Sequence, residues 1–200
     1  MSDISFEKCS GDAVNEHLGE LAGLRLAIFR EYPYLYDGEP VHELKYLRIY
    51  AEAPGGCAIV AVDGDGVVGA VTGVPLCHEI AEFTVPFAAS TFPVAETYYV
   101  GELLFFPAYR GQGFGSRLFA MIEEHVRSLG TFRFLTCATV ERAADHPLRP
   151  PGHVPIDLFC LKHGFTKHPE LRTSIPWREI DGVERPHEMV FWVKGLGGTT

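Results

Sequence analysis

Gly111, Gly113 and Gly115 place three glycines in the six positions from Arg110 to Gly115, and this is the stretch of the chain best suited to hold an anion. Glycine lets backbone approach a ligand closely and take positive φ, so the amide groups of such a loop can turn toward one point. If a helix follows, its first free N–H groups and the positive end of its dipole add to the same spot, which is how phosphate groups are held. Eight residues before Arg110 stands Glu102, a carboxylate inside an otherwise apolar run, where an unpaired charge would be costly. A carboxylate placed there could take a proton from an amine, either directly or through water.

The elements needed to position these residues can be read on either side of them. Tyr98 to Phe106 is a β-branched and aromatic run closed by Pro107, which predicts a strand. Leu118, Ile122, Val126 and Leu129 return at three- and four-residue steps and Gly130 supplies a stop, which predicts a helix. Strand, glycine loop and helix therefore follow one another in the order a phosphate-holding unit needs. The spacing decides which kind. A dinucleotide loop, Gly-x-Gly-x-x-Gly, fails from Gly111 and from Gly113, and no Gly-Lys pair exists for a Walker A loop.

What fits is Arg/Gln-x-x-Gly-x-Gly/Ala, filled by Arg110, Gly113 and Gly115. In this setting the pattern resembles the GNAT superfamily of acyl-CoA-dependent N-acetyltransferases, whose loop holds the pyrophosphate of coenzyme A. A second similarity lies at Ile156 to His163, a predicted short helix closed by Gly164-Phe165, as in that superfamily after its fifth strand. The resemblance implies acetyl-CoA as cofactor, with Arg110, Gly111, Gln112, Gly113, Phe114, Gly115 and Ser116 around its phosphates. It also implies that backbone groups at Leu104, Phe105 and Phe106 meet its pantetheine arm and thioester. Glu102 matches the strand glutamate that some members use as general base. Many members carry a proton-donating tyrosine four residues before the Gly of the Gly-Phe pair, and here that position is Cys160. A thiol of ordinary pKa about 8.5 is either a proton donor or a small hydrophobe at such a place.

The remainder of the chain is read in order. Ile4 to Phe6 predicts a short strand, and Val14, Leu18, Leu21, Leu24 and Ile28 trace one helical face that must end before Pro33. The segment from Glu31 to Glu39 holds three tyrosines and three carboxylates in nine residues. It is either a solvated loop or a wall of the acceptor site, with Tyr32, Tyr34, Tyr36 and Asp37 as candidates to meet an amine cation. Pro40 opens a second helix through Leu44, Leu47 and Ala51. Cys57 to Val62 and Val67 to Val74 form a hairpin about Asp63-Gly64-Asp65-Gly66. Residues 75 to 95, interrupted by Pro75, Pro86 and Pro93, predict one short helix near Glu79 to Thr84. His42-Glu43 and His78-Glu79 lack the second histidine of a metalloprotease motif and read as surface or satisfied histidines. Phe132 to Val140 is the next strand, parallel to the first across the helix crossover, and Glu188 to Lys194 is the last.

Length and composition bound the rest. With 200 residues, 46 % of them hydrophobic and 22 % charged, the chain fits one globular domain, which buries about 70 % of its unfolded surface. The five cysteines include no Cys-x-x-Cys, so neither a disulfide frame nor a metal site is signalled. No apolar run approaches a membrane span and no signal core opens the chain, so a cytoplasmic protein is expected. The net charge of -9 argues against nucleic acid and mildly for a cationic acceptor. No covalent nucleophile motif appears. The expected fold is α/β (α+β): one GNAT-like domain, a mixed, mostly antiparallel sheet splayed at a central parallel pair and flanked by helices. The expected function is acetyl transfer to the primary amine of a small metabolite. A catalytically silent acyl-CoA-binding module and a protein lysine or N-terminal acetyltransferase are the rivals. The hydrophobic last strand offers one route to a homodimer.

Overall fold

The computed structural model describes residues 4–64 and 66–197. Strand β1 (Ser5–Ser10) leads through a 3-10 turn into α1 (Leu18–Phe29), followed by α2 (Pro40–Leu47) and the single turn α3 (Ile49–Glu52). The hairpin β2 (Cys57–Asp63) and β3 (Gly66–Pro75) follows as predicted, although Asp65 at its tip lies outside the described residues. The proline-interrupted stretch holds only α4 (Ala81–Thr84) and 3-10 turns. Then come β4 (Thr97–Phe105), α5 (Phe114–Leu129), β5 (Phe134–Val140), α6 (Asp157–Lys162), β6 (Thr166–Arg178) and β7 (Glu184–Gly195).

The strands form one sheet in the order β1-β2-β3-β4-β5-β7-β6. Alternation within β2 shows why it is covered on both sides. Ile59 and Ala61 pack with Leu118, Ile122 and Val126 of α5, whereas Ala58 and Val60 pack with Leu21 and Leu24 of α1 and Tyr50 of α3. A third cluster, Phe83, Phe87, Tyr99, Met189 and Phe191, fills the far end of the sheet under the proline-rich stretch. No described helix is long and apolar enough to cross a membrane.

The sheet opens at its centre. β4 and β5 pair in parallel only at Thr97↔Phe134, Tyr98↔Leu135 and Tyr99↔Thr136, after which β5 continues antiparallel to β7 as far as Val140↔Met189. From Val100 onward β4 keeps β3 on one side and faces a cleft on the other. A bulge marks the point of divergence: Val71 pairs Leu103 and Gly73 pairs Val100, so Gly101 and Glu102 together stand opposite Thr72. No Cβ fits at Gly101, because it would come within 2.0 Å of the Tyr50 hydroxyl.

Two expectations are corrected. The run from Thr166 to Arg178 is a strand that the sequence reading passed over, and it pairs with β7 from Thr166↔Val193 to Arg178↔Glu184. Its prolines, Pro169 and Pro176, are tolerated because β6 is an edge strand. In consequence β7 has β5 on one side and β6 on the other, so its edges are not free to pair with a second copy.

Candidate active site in the cleft between β4 and β5

The cleft has a volume of about 1120 Å3 and is lined by β4, the glycine loop, the start of α5, β5, the 141–155 loop and α6. At one end the loop is built as its glycines require. Gly111 and Gly113 take φ of 75° and 88°, and Gly113 caps α5 without any side chain bonding the helix's first amides. Those amides, at Phe114, Gly115 and Ser116, precede the first intrahelical bond of the turn, from Arg117 N–H to Gly113 C=O at 3.1 Å. Nothing lies within 4 Å of a Cβ built at Gly111 or Gly113, so the concave side of the loop is open. These features fit a pyrophosphate. Arg110 is placed by its Nε on Phe105 C=O at 2.8 Å and by Glu31 at 2.7 Å. The Ser116 hydroxyl meets His163 Nε2 at 3.0 Å. Gln112 is turned away: its amide donates to Ala108 C=O at 2.9 Å, so only its backbone belongs to the loop. The Phe114 ring packs on Phe6 and Phe105.

Along β4, Phe106 N–H donates to Val68 C=O at 3.0 Å, which uses up that amide. By strand alternation Leu104 also bonds β3, its partner there being Ala70. Phe105 and Leu103 point their N–H groups the other way, toward the cleft. Of the three expected backbone donors, Leu104 and Phe106 are therefore committed to the sheet, and Phe105 and the unforeseen Leu103 face the opening.

Glu102 is 3 % exposed and lines the cleft at the bulge. Three hydrogen bonds hold it: Arg25 of α1 and the Thr72 hydroxyl each donate to its carboxylate, and its own N–H donates to Thr72 Oγ1 at 3.1 Å. Arg25 also bonds Glu43 of α2, which in turn accepts from Tyr36 OH at 2.7 Å. Burial works against the guanidinium's charge, but Glu102 and Glu43 outweigh it and hold its pKa above the ordinary value. The Arg25 plane lies over the Phe29 and Tyr46 rings at 4.9 and 4.6 Å. One cation thus stands between two buried carboxylates, leaving one negative charge in excess beside the cleft.

The Tyr-rich segment is a docked wall rather than a solvated loop. Arg142 donates to Pro33 C=O and Tyr34 C=O at 2.7 and 2.9 Å, Trp177 Nε1 donates to Tyr34 C=O at 3.1 Å, and Tyr36 bridges Glu179. Tyr32 and Tyr34 line the cleft, and the Tyr32 ring packs on His153 and His146 of the 141–155 loop at 4.8 and 5.7 Å. The two loops therefore meet over the cleft. Tyr36 and Asp37 do not reach it: Tyr36 serves Glu43, and Asp37 is ion-paired with Arg30 at 2.7 Å and Arg178 at 3.2 Å.

Cys160, 3 % exposed, packs in the core cluster with Phe119 and Phe165 while touching the cleft wall. Its neighbour across the wall is Cys137 of β5. A hydrogen bond with Cys160, reinforced by burial, holds the Cys137 thiol well above its usual pKa. No group of metal-ligating side chains occurs among the described residues.

Comparison with known proteins agrees with the fold. Residues 22–148 match the model of the acetyltransferase (GNAT) family. The fold is similar to that of yncA from Salmonella typhimurium, whose structure holds its cofactor acetyl-CoA (TM-score 0.60, 14 % identity, covering 100 % of this chain and 97 % of that one). It is similar also to a ribosomal-protein-alanine N-acetyltransferase from Brucella melitensis (TM-score 0.62, 14 % identity, 96 % and 99 % covered). An acetyltransferase from Streptococcus agalactiae gives a TM-score of 0.60 at 16 % identity, with 98 % and 99 % covered. No curated protein sequence matches the chain significantly.

Proposed function

The chain belongs to the GNAT family of acetyltransferases, and on that premise we propose that it moves an acetyl group from acetyl-CoA to the primary amine of a small cationic metabolite by direct attack in a ternary complex. The observation that carries this reading is the opening between β4 and β5, which has an uncapped helix start at one end and a buried carboxylate at the other. Bound acetyl-CoA supplies an activated acyl group as a thioester. The glycine loop and the first amides of α5 hold its phosphates, and Leu103 and Phe105 offer N–H groups to its arm and carbonyl.

Glu102 receives the proton of the incoming ammonium. This matters because an alkylamine, with a pKa of about 10.4, is almost wholly protonated at neutral pH and cannot attack in that form. The excess negative charge shared by Glu102, Arg25 and Glu43 favours a cationic acceptor, and the Tyr32 and Tyr34 rings suit its apolar and cationic parts. A small acceptor is favoured over a protein chain because the Tyr-rich wall and the 141–155 loop touch, instead of flanking an open groove.

Calorimetric titration with acetyl-CoA, followed by thiol release against a panel of amines and basic peptides, tests the proposal. Binding with release on a small amine is expected. Binding without release on any acceptor would favour a silent module, release on peptides alone would overturn the small-molecule reading, and no binding would end it at the loop. In the same titration Gly113→Ala should weaken acetyl-CoA about tenfold, since a non-glycine residue at φ 88° is strained by roughly 1–2 kcal/mol and the loop would relax away from its anion-holding shape. An unchanged affinity would detach the loop from the cofactor.

We assign Cys160 to packing. Its thiol is engaged by Cys137, so Cys160→Ala should keep kcat within about threefold, the methyl-sized loss being felt mainly in stability. A hundredfold fall in kcat would instead make it the proton donor to the departing thiolate.

A further inference from the structure

Glu102 faces the cleft, yet polar groups behind it run away from the cleft along the face of the sheet that α1, α2 and α3 cover. Thr72 Oγ1 donates to the Glu102 carboxylate, and the Tyr50 hydroxyl stands beside Thr72 over Gly101, where a Cβ would lie 2.0 Å from the one oxygen and 3.3 Å from the other. Tyr50 OH and Tyr46 OH are 3.2 Å apart, and Tyr46 OH donates to Glu79 Oε1 at 3.2 Å. The other Glu79 oxygen accepts Ile80 N–H at 3.1 Å, which fixes the carboxyl at the start of α4. A separate hollow of about 790 Å3 is lined by Tyr46, by His42, Lys45 and Arg48, and by His78 and Ile80, the chain neighbours of Glu79. The missing side chain at Gly101 is what lets the Tyr50 hydroxyl come within reach of Thr72 at the bulge.

We propose that Thr72, Tyr50 and Tyr46 form a proton conduit that empties Glu102 along the α1–α3 face of the sheet into Glu79, and from there into solvent at the hollow beside Tyr46, His78 and Ile80. The conduit rests on Glu102 being the base for the acceptor amine. The acceptor's N–H bond breaks as an O–H bond forms on Glu102. Once Glu102 is protonated, the Thr72 hydroxyl, which donates to the carboxylate in the structure, turns to accept from it and gives its own proton to Tyr50, Tyr50 to Tyr46, and Tyr46 to Glu79. Each hydroxyl oxygen loses one proton and gains one, so no charge rests on the intermediate groups, and the amine is left with its lone pair free.

The surroundings suit the two ends and the middle. Burial, the largest effect, raises the Glu79 carboxyl to about 7; the Ile80 N–H bond pulls it down, the neighbouring Glu102 adds to the rise, and Tyr46 OH and Arg25 pull down more weakly. Tyr50, Tyr99 and Tyr46 complete the titratable groups around it, and His78 precedes it in the chain. Burial holds the Tyr46 and Tyr50 phenols well above their ordinary range, so they relay protons without becoming phenolates. Glu79 can therefore accept and release a proton near neutrality, whereas below its pKa it is already full and the conduit is blocked.

The test compares Tyr46→Phe, Glu79→Gln and Glu102→Gln in the full chain, measuring acetyl-CoA affinity by calorimetry and kcat for the acceptor from pH 6 to 9. Tyr46→Phe is expected to lower kcat about tenfold with unchanged acetyl-CoA affinity, and Glu79→Gln to do the same while abolishing the fall in kcat below pH 7. Wild-type kcat and pH profile in both variants, with Glu102→Gln inactive, would overturn the conduit while leaving the base in place. Wild-type turnover in Glu102→Gln would remove the base and the conduit together.

Discussion

Glu102→Gln will lower kcat for amine acetylation by about 100-fold at pH 7, and the deficit will shrink as pH rises. A glutamine at position 102 keeps its oxygen for Arg25 and turns its NH2 to Thr72 Oγ1, which can accept as well as donate, and Arg25 keeps Glu43, so the bulge and the cleft wall survive the change. What is lost is the ability to take a proton. The variant must use the small fraction of acceptor that is already neutral, and that fraction grows tenfold per pH unit up to the amine's own pKa of about 10.4. Its log kcat/KM should therefore climb with a slope near one between pH 7 and 9, whereas the wild-type enzyme levels off. Acetyl-CoA affinity should not change, because the glycine loop and the helix start lie at the other end of the opening. Normal turnover with a flat profile would show that Glu102 is held for structure alone, a reading its burial and its ion pair would then explain.

How far such a site can be read in advance depends on the residue. The unit from Tyr98 to Gly130 was legible because its signals are local. A strand closed by Pro107, glycines that take positive φ at 111, 113 and 130, and a helix with one apolar face each announce themselves within a few residues. Glu102 was legible as a charge out of place in an apolar run. Its partners were not, since a charge is explained only by what the fold brings to it from Arg25, Glu43 and Thr72. One local trace did exist. Arg25 falls on the same stripe as Leu18, Leu21 and Ile28, and a charge at a core position of an amphipathic helix asks for a buried counter-ion. β6 escaped notice for the opposite reason: Pro169 and Pro176 argue against a strand, and only its place at the sheet edge makes them harmless. That omission also made β7 look like a free edge. The wall built from residues 31 to 39 was ambiguous because the same tyrosines suit water or a docked loop, and the choice is made by Arg142 and Trp177 more than a hundred residues away.

The network also predicts the largest loss of stability. Arg25→Leu should cost about 3–5 kcal/mol, because it leaves Glu43 and Glu102 facing each other, both nearly fully buried, with no cation between them. For a chain of this size that corresponds to a fall in Tm of roughly 10 °C, read by thermal denaturation at pH 7. Removing one of the stranded carboxylates should return part of the loss, so Arg25→Leu with Glu43→Gln is expected to melt above Arg25→Leu alone. A double-mutant cycle over positions 25 and 43 would give the coupling directly. A fall of only a few degrees, with no recovery in the double variant, would mean that the pair is worth no more than its hydrophobic replacement. The same argument carries to the acceptor. With Arg25 in place the Glu102–Arg25–Glu43 group carries one negative charge in excess, a match for one ammonium group. Without it the group carries two, so any Arg25→Leu protein that stays folded should bind a dication relatively better than wild type does, which KM values for mono- and diamines of equal length would reveal.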